Sequence, residues 1–175
     1  VTPGLIDAHT HMLFAGSRAG EFALRLSGST YQQIAKEGGG ILSTVKSTRE
    51  ASDEQLSDLM HERIEDALTH GVTTLECKSG YGLSYEQELR HLQIINDVAD
   101  KSEADVIATC LALHAVPPEV SKQDYIKQTT EKLLPEISKK GLALFVDAFV
   151  EKGYFEPAEV RDFFATAKDH YGMGI

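Results

Sequence analysis

Positive charge is scarce in this sequence. Seventeen lysines and arginines face 27 aspartates and glutamates, for a formal net charge of −10. A nucleic-acid or anionic-membrane partner needs a basic patch, so the balance argues against both. Cysteine is sparse as well: Cys77 and Cys110 are the only two, each inside an apolar, strand-like run. That usage suits a reducing, cytoplasmic setting better than a disulfide framework. No apolar run approaches the length of a membrane span, and the N-terminus lacks a signal-peptide pattern. An initiator methionine is missing too. The chain opens at Val1-Thr2-Pro3-Gly4, with no element before the first strand-like run, and reads as cut from something longer.

What is present is an alternation. With 175 residues and 42% apolar content, the chain can bury the core of one domain. "GLIDAHT" (4–10) reads as a short buried strand. "SDEQLSDLMHERIEDALTHG" (52–71) reads as a helix, with Ser52 and Gln55 at capping-box spacing and Leu56, Leu59, Met60, Ala67 and Leu68 as its apolar stripe. "VTTLECKSG" (72–80) is the next strand. "SYEQELRHLQIINDVADKS" (84–102) is a helix with Ser84 and Gln87 again at capping-box spacing. "DVIATCLALHAV" (105–116) is a strand ended by Pro117-Pro118. "SKQDYIKQTTEKLLPEISKKG" (121–141) is helical, with Pro135 expected to kink or divide it. "LALFVDAFV" (142–150) is a fourth strand, and "EPAEVRDFFATAKDHYG" (156–172) a fourth helix with Pro157 in its first turn.

Strand and helix repeated four times predict parallel βα units. The fold class is therefore α/β, and the choice lies between an open doubly wound sheet and a (β/α)8 TIM barrel. A doubly wound sheet is expected to carry a glycine-rich phosphate loop after its first strand, and none is there. Polar residues fall instead at the ends of successive strands: His9 and His11, Lys78, His114, Asp147 and Glu151. Barrel active sites sit at that rim. A whole barrel takes roughly 250 residues, so residues 1–175 are expected to form a partial barrel of four βα units plus the start of a fifth strand.

His9 and His11 stand two apart, which on a regular strand turns both to one face about 6–7 Å apart. Imidazole nitrogens so placed can share one metal ion. A bare His-x-His is more often a chance pair. Here it ends a strand as Asp-x-His-x-His after a Pro-Gly turn, and the context favours metal. Asp7 shares the parity and is a candidate to steady a ligand. His114 ends a strand whose same-parity residues, Ala108, Cys110 and Ala112, are small, which predicts room for a ligand; Leu111 and Leu113 are expected to face the helices. The turn "KSGYG" (78–82) presents Tyr81 at the rim. Arg18 can grip a carboxylate bidentately, although a loop arginine is more often only solvated. "EGGGIL" (37–42) could cradle an anion or act as a mobile lid, and it lacks a nucleotide-binding pattern. Glu76, Lys78 and Asp147 read as inward charges that pair or support the site, and Glu151 could do either. His61, His70, His91 and His170 read as surface residues.

Pro-Gly-Leu-Ile-Asp-x-His-x-His at the first strand resembles the amidohydrolase superfamily, metal-dependent hydrolases on (β/α)8 barrels. "HTHMLFAGSRAGEF", "YQQIAKEGGGI", "ECKSGYGL", "LALHAVPPE" and "FVDAFVEKGYF" together resemble the imidazolonepropionase family, over essentially the whole chain and in order. The resemblance implies hydrolysis of 4-imidazolone-5-propanoate to N-formimidoyl-L-glutamate, a C–N bond opening in histidine degradation. It implies one Zn2+ or Fe3+ ion held by His9 and His11. It makes Arg18, Tyr81 and His114 substrate-binding residues, with Tyr31 joining them and His114 also catalytic, through a hydrogen bond to the ring carbonyl. The remaining family ligands, a histidine on the fifth strand and an aspartate on the eighth, and a proton-handling glutamate, are not in this chain. "HYGMGI" reads as the last turn of the fourth helix entering strand five, just before the third ligand. The 175-residue piece alone is therefore expected to be inactive, and a small flanking β-domain and the rest of the barrel are expected outside it.

Two other readings stay open: a related amidohydrolase acting on another cyclic amide or amidine, deaminase-like, or a non-catalytic metal-binding module. The expected partner is a small molecule, not a nucleic acid or a membrane. Helices on a barrel exterior commonly carry interfaces, which leaves a homodimer open.

Overall fold

The computed structural model describes residues 1–28, 30, 33 and 39–175. Tyr31 and the first two residues of the 37–42 segment lie outside the described residues. Four strands, β1 (Leu5–Thr10), β2 (Val72–Lys78), β3 (Asp105–Leu113) and β4 (Phe145–Ala148), form one parallel sheet in the order β1-β2-β3-β4. Helices α1 (Ala19–Leu26), α2 (Ile41–Glu50) and α3 (Asp53–Thr69) lie between β1 and β2, and α4 (Tyr85–Ala99) between β2 and β3. Then come α5 (Lys122–Gln128), a π-helical turn (Thr129–Leu133) and α6 (Leu134–Lys140), and after β4 comes α7 (Pro157–Tyr171). Strands neighbouring in sequence order with helical crossovers build a curled half-barrel. Beside β4 the next strand position has begun: Val146 N donates to the Gly174 carbonyl at 3.0 Å, and Gly174 N to that of Leu144 at 3.0 Å.

Local sequence explains the helix ends. Ser52 Oγ accepts from Gln55 N at 3.1 Å while Gln55 Oε1 accepts from Ser52 N at 2.9 Å, a complete capping box. Ser84 Oγ likewise accepts from Gln87 N at 3.3 Å, but the Gln87 amide oxygen takes the Arg90 guanidinium at 3.0 Å. Pro135 divides its helix as expected. It has no N–H to offer the preceding turn, and the wider π turn just before it absorbs the missing bond.

The core lies between the sheet and its helices, with Leu56, Met60 and Ile64 of α3 and Leu92 and Ile95 of α4 fully buried. Each such side chain contributes roughly 1.5–3 kcal/mol by leaving water. Three expectations need correction. β1 is not a buried strand: Leu5 is 60% and Ile6 72% exposed, because among the described residues β1 pairs on one edge only and its inner face borders the open concavity of the half-barrel. The small-residue face of β3 does not line the barrel interior as expected, although Leu113 joins the helix-side core as expected. Ile107 and Thr109 line that concavity, about 490 Å³, with Ile6, Ala8, Thr74, Glu76, Lys78 and Asp147, whereas Ala108, Cys110 and Ala112 belong to the buried core. The small side chains thus let helices approach the sheet and do not make room for a ligand. Finally, His91 is 1% exposed; His61, His70 and His170 are exposed as expected.

Candidate active site

Strand ends and the turns after them bring His11, Tyr81 and His114 together. The His11 and His114 rings stack at 5.0 Å between centroids, and Tyr81 lies 5.1 Å from His11 and 5.5 Å from His114. His9 stands 5.9 Å from His11. Plain strand alternation does not produce this pair, since Ile6 and Ala8 are the β1 residues that line the concavity. The β1–β2 register slips between Asp7 and Thr10, and His11 follows the last strand residue. Asp7 Oδ1 accepts from the His9 backbone N–H at 3.2 Å, a contact to the main chain beside the imidazole.

Two observations bear on a metal. The His11 Nδ1 is buried and has no hydrogen-bond partner among the described residues. Burial first, then the charges of His114, His9 and Lys78, lowers the His11 pKa to about 4 against the opposing Ser79 backbone, so its ring is neutral at pH 7. Nitrogens at ~2.0–2.1 Å from a tetrahedral ion, plus a ring radius of ~1.1 Å, place two imidazole centroids about 5.2 Å apart; His9 and His11, at 5.9 Å, stand somewhat wider than that and would draw together on an ion. Among the described residues no three His, Cys, Asp or Glu side chains gather closely enough to enclose an ion. The chain thus fits two of the three protein ligands usual at a catalytic zinc.

Arg18, at the entrance to α1, shares a cavity of about 370 Å³ with Phe14, Ser17, Thr44, Arg63 and Tyr81. Burial raises the Tyr81 pKa against the opposing charge of Arg18, which keeps its hydroxyl a donor at neutral pH. His114 Nδ1 lies 3.1 Å from the Gly80 carbonyl oxygen. A carbonyl only accepts, so Nδ1 carries the proton and the neutral ring presents Nε2 as an acceptor. Burial lowers the His114 pKa, with the Gly80 carbonyl and Asp147 opposing.

Behind these groups, Lys78 Nζ bridges Glu76 Oε1 at 2.9 Å and Asp147 Oδ2 at 3.0 Å, and Glu76 Oε1 also accepts from Thr109 Oγ1 at 2.6 Å. Burial alone lowers the Lys78 pKa; the bonds and charges of its two carboxylates outweigh it and the net shift is upward. Glu151 is exposed and accepts from its neighbour Lys152 N at 2.8 Å. Sequence reasoning passed over Arg63. Its guanidinium donates to the Met12 and Phe14 carbonyls at 2.6 and 2.8 Å and lies 3.6 Å over the Phe14 ring, fixing the segment between His11 and Arg18. Its place next to the buried Ile64 gave no signal of this.

No family model matches the chain. Curated proteins do. An imidazolonepropionase of Idiomarina loihiensis is 50% identical over 171 residues, 97% of this chain and 42% of that protein. One of Geobacillus thermodenitrificans is 48% identical over 97% of this chain and 41% of its own length, and one of Photobacterium profundum 47% identical over 100% and 43%. The chain spans about two fifths of the length of the curated relatives it matches. Over that span the chain is similar to imidazolonepropionases, at 47–50% identity.

Proposed function

We propose that this chain supplies the first strands and part of the site of an enzyme that hydrolyses 4-imidazolone-5-propanoate to N-formimidoyl-L-glutamate. The observation that carries the reading is the convergence of His9, His11, Tyr81 and His114 at one rim of the half-barrel, beside the Arg18 cavity. His9 and His11 would hold one Zn2+ or Fe3+ ion, with further ligands from residues that this chain does not contain. Such an ion supplies Lewis acidity, which lets water hydrolyse a cyclic amide near neutral pH. The Arg18 guanidinium pairs with the propanoate carboxylate, and the Tyr81 hydroxyl donates to it. Tyr31 is proposed as a further contact on sequence resemblance alone.

His114 takes a different part from the one its position suggests. With Nδ1–H spent on Gly80, its neutral ring accepts a hydrogen bond from a substrate ring N–H at Nε2. It donates to the ring carbonyl only once it has taken up a proton there. Either way it orients the ring against the metal side of the site.

The test is turnover by the full-length natural chain, with metal content by elemental analysis. Consumption of the imidazolone, lost on chelation and restored by metal, supports the reading. Turnover of a purine or pyrimidine amidine in its place favours the deaminase-like alternative, and metal binding without turnover favours a non-catalytic module. The 175-residue chain alone is expected to be inactive, since two imidazoles are too few to hold a catalytic ion.

A further inference from the structure

Glu88 is a charged residue on the apolar face of α4, completely buried at 0% exposure. Its Oε1 accepts from Gly82 N at 2.7 Å and Leu83 N at 2.8 Å, and its Oε2 from Gly80 N at 3.1 Å. Three backbone donors from a single turn thus converge on one carboxylate. The turn needs that support, because its backbone is costly. Leu83 has φ +49°, which a non-glycine residue rarely adopts, and Gly80 has φ +109°. A Cβ at Gly80 would stand 2.7 Å from the Leu111 carbonyl and 2.9 Å from His114 Nδ1, and one at Gly82 would stand 2.8 Å from Glu88 Oε1. Between those glycines sits Tyr81.

We propose that Glu88 is a positioning residue: by gathering the N–H groups of Gly80, Gly82 and Leu83 it shapes the 79–83 turn, presents Tyr81, and aims the Gly80 carbonyl at His114 so that Nδ1 carries the proton. The carboxylate touches neither His114 nor the cavity lined by Arg18. It acts through the turn. Because the peptide of Gly80 donates its N–H to Glu88 and offers its carbonyl to His114, tilting that residue disturbs both contacts together. The catalytic consequence rests on the hydrolase reading above; the tautomer does not.

The experiment compares the full-length natural chain with Glu88→Gln. Glutamine keeps the shape and one acceptor oxygen but turns an NH2 group towards one of the three N–H donors. Long-range 1H–15N correlation of histidine side chains reads the tautomer directly. The proposal expects Nδ1–H on His114 in the parent chain and loss of that single tautomer in Glu88→Gln. It also expects at least an about tenfold rise in KM for the imidazolone, the size of one charge-assisted hydrogen bond. His114→Asn added to Glu88→Gln should cost less than the two separate losses combined. A proton on Nε2 of His114 in the parent chain overturns the proposal, as does an unchanged tautomer in Glu88→Gln. Should that variant not accumulate as folded protein, Glu88→Asp, which withdraws the carboxylate by one methylene, is read the same way. If the parent chain does not turn over the imidazolone, the hydrolase reading fails, while the tautomer comparison still decides the role of Glu88.

Discussion

The His11 and His114 rings lie 5.0 Å apart with their planes 11° from parallel, although the two residues follow strands β1 and β3, which are not neighbours. β2 lies between those strands, and the turn after it carries the Gly80 carbonyl that holds His114. Neutral rings can stack in this way, whereas two imidazolium rings would repel. Acidification should therefore separate them. The change is expected below neutral pH, since burial, foremost, lowers the pKa of both rings, His11 to about 4. Histidine side-chain NMR of the metal-free protein checks this; a stack unchanged down to pH 3 contradicts it.

Arg18 tests recognition of the substrate carboxylate. Arg18→Lys keeps the charge and loses the two-pronged fork. With a charge-assisted bond worth about 1.5–3 kcal/mol, KM should rise roughly 10–100-fold. Little change in kcat is expected, because the carboxylate is remote from the bond that breaks. Steady-state kinetics with the imidazolone decides it, and an unchanged KM removes Arg18 from the site.

His91 makes stability pH-dependent. Both ring nitrogens are buried without partners among the described residues, and burial, then the charges of Arg90 and Arg49, lowers the pKa to about 4, with Asp53 opposing. The unfolded chain, near 6.5, binds the proton first. Stability is therefore full above about pH 6.5 and falls as pH drops towards 4. His91→Leu should remove about 2–3 kcal/mol of that acid loss and leave stability at pH 7 equal or higher. His11 shares the direction, so the slope shrinks without vanishing. Urea unfolding between pH 4 and 7 measures it; an unchanged slope refutes the assignment.

Lys78 is held between two carboxylates. Lys78→Ala leaves Glu76 and Asp147 facing each other across the concavity without their cation. Breaking a buried pair costs about 3–5 kcal/mol, and the lower end applies because the Asp147 side chain is 38% exposed. Lys78→Met with Glu76→Gln should recover part of that loss. Denaturant unfolding of the three proteins separates the cases.

Helix caps, the divided helix at Pro135 and the parallel order of the strands were legible in the sequence, since each follows from short-range patterns. So was the gathering of His9, His11, Tyr81 and His114, because strand ends in a barrel converge. The strand faces were less legible. A register slip between Asp7 and Thr10 cannot be read from alternation, and in β3 both faces are apolar, so periodicity does not say which meets the helices. Glu88 and His91 did leave a signal. They fall with Leu92, Ile95 and Val98 on one helical stripe, and a charged or titratable residue at a core position asks for a buried partner. Arg63 left none, because its partners, two backbone carbonyls and the Phe14 ring, lie far along the chain.

The most direct test of the central claim is metal-dependent turnover of 4-imidazolone-5-propanoate by the full-length chain and its His11→Ala variant. The account predicts N-formimidoyl-L-glutamate from the parent protein, with zinc or iron bound at one ion per chain. In the variant, metal affinity should fall by more than the roughly 10–100-fold that loss of a ligand's supporting hydrogen bond costs, and turnover should fall with it. Full turnover by His11→Ala, or by the parent protein stripped of metal, would contradict the account.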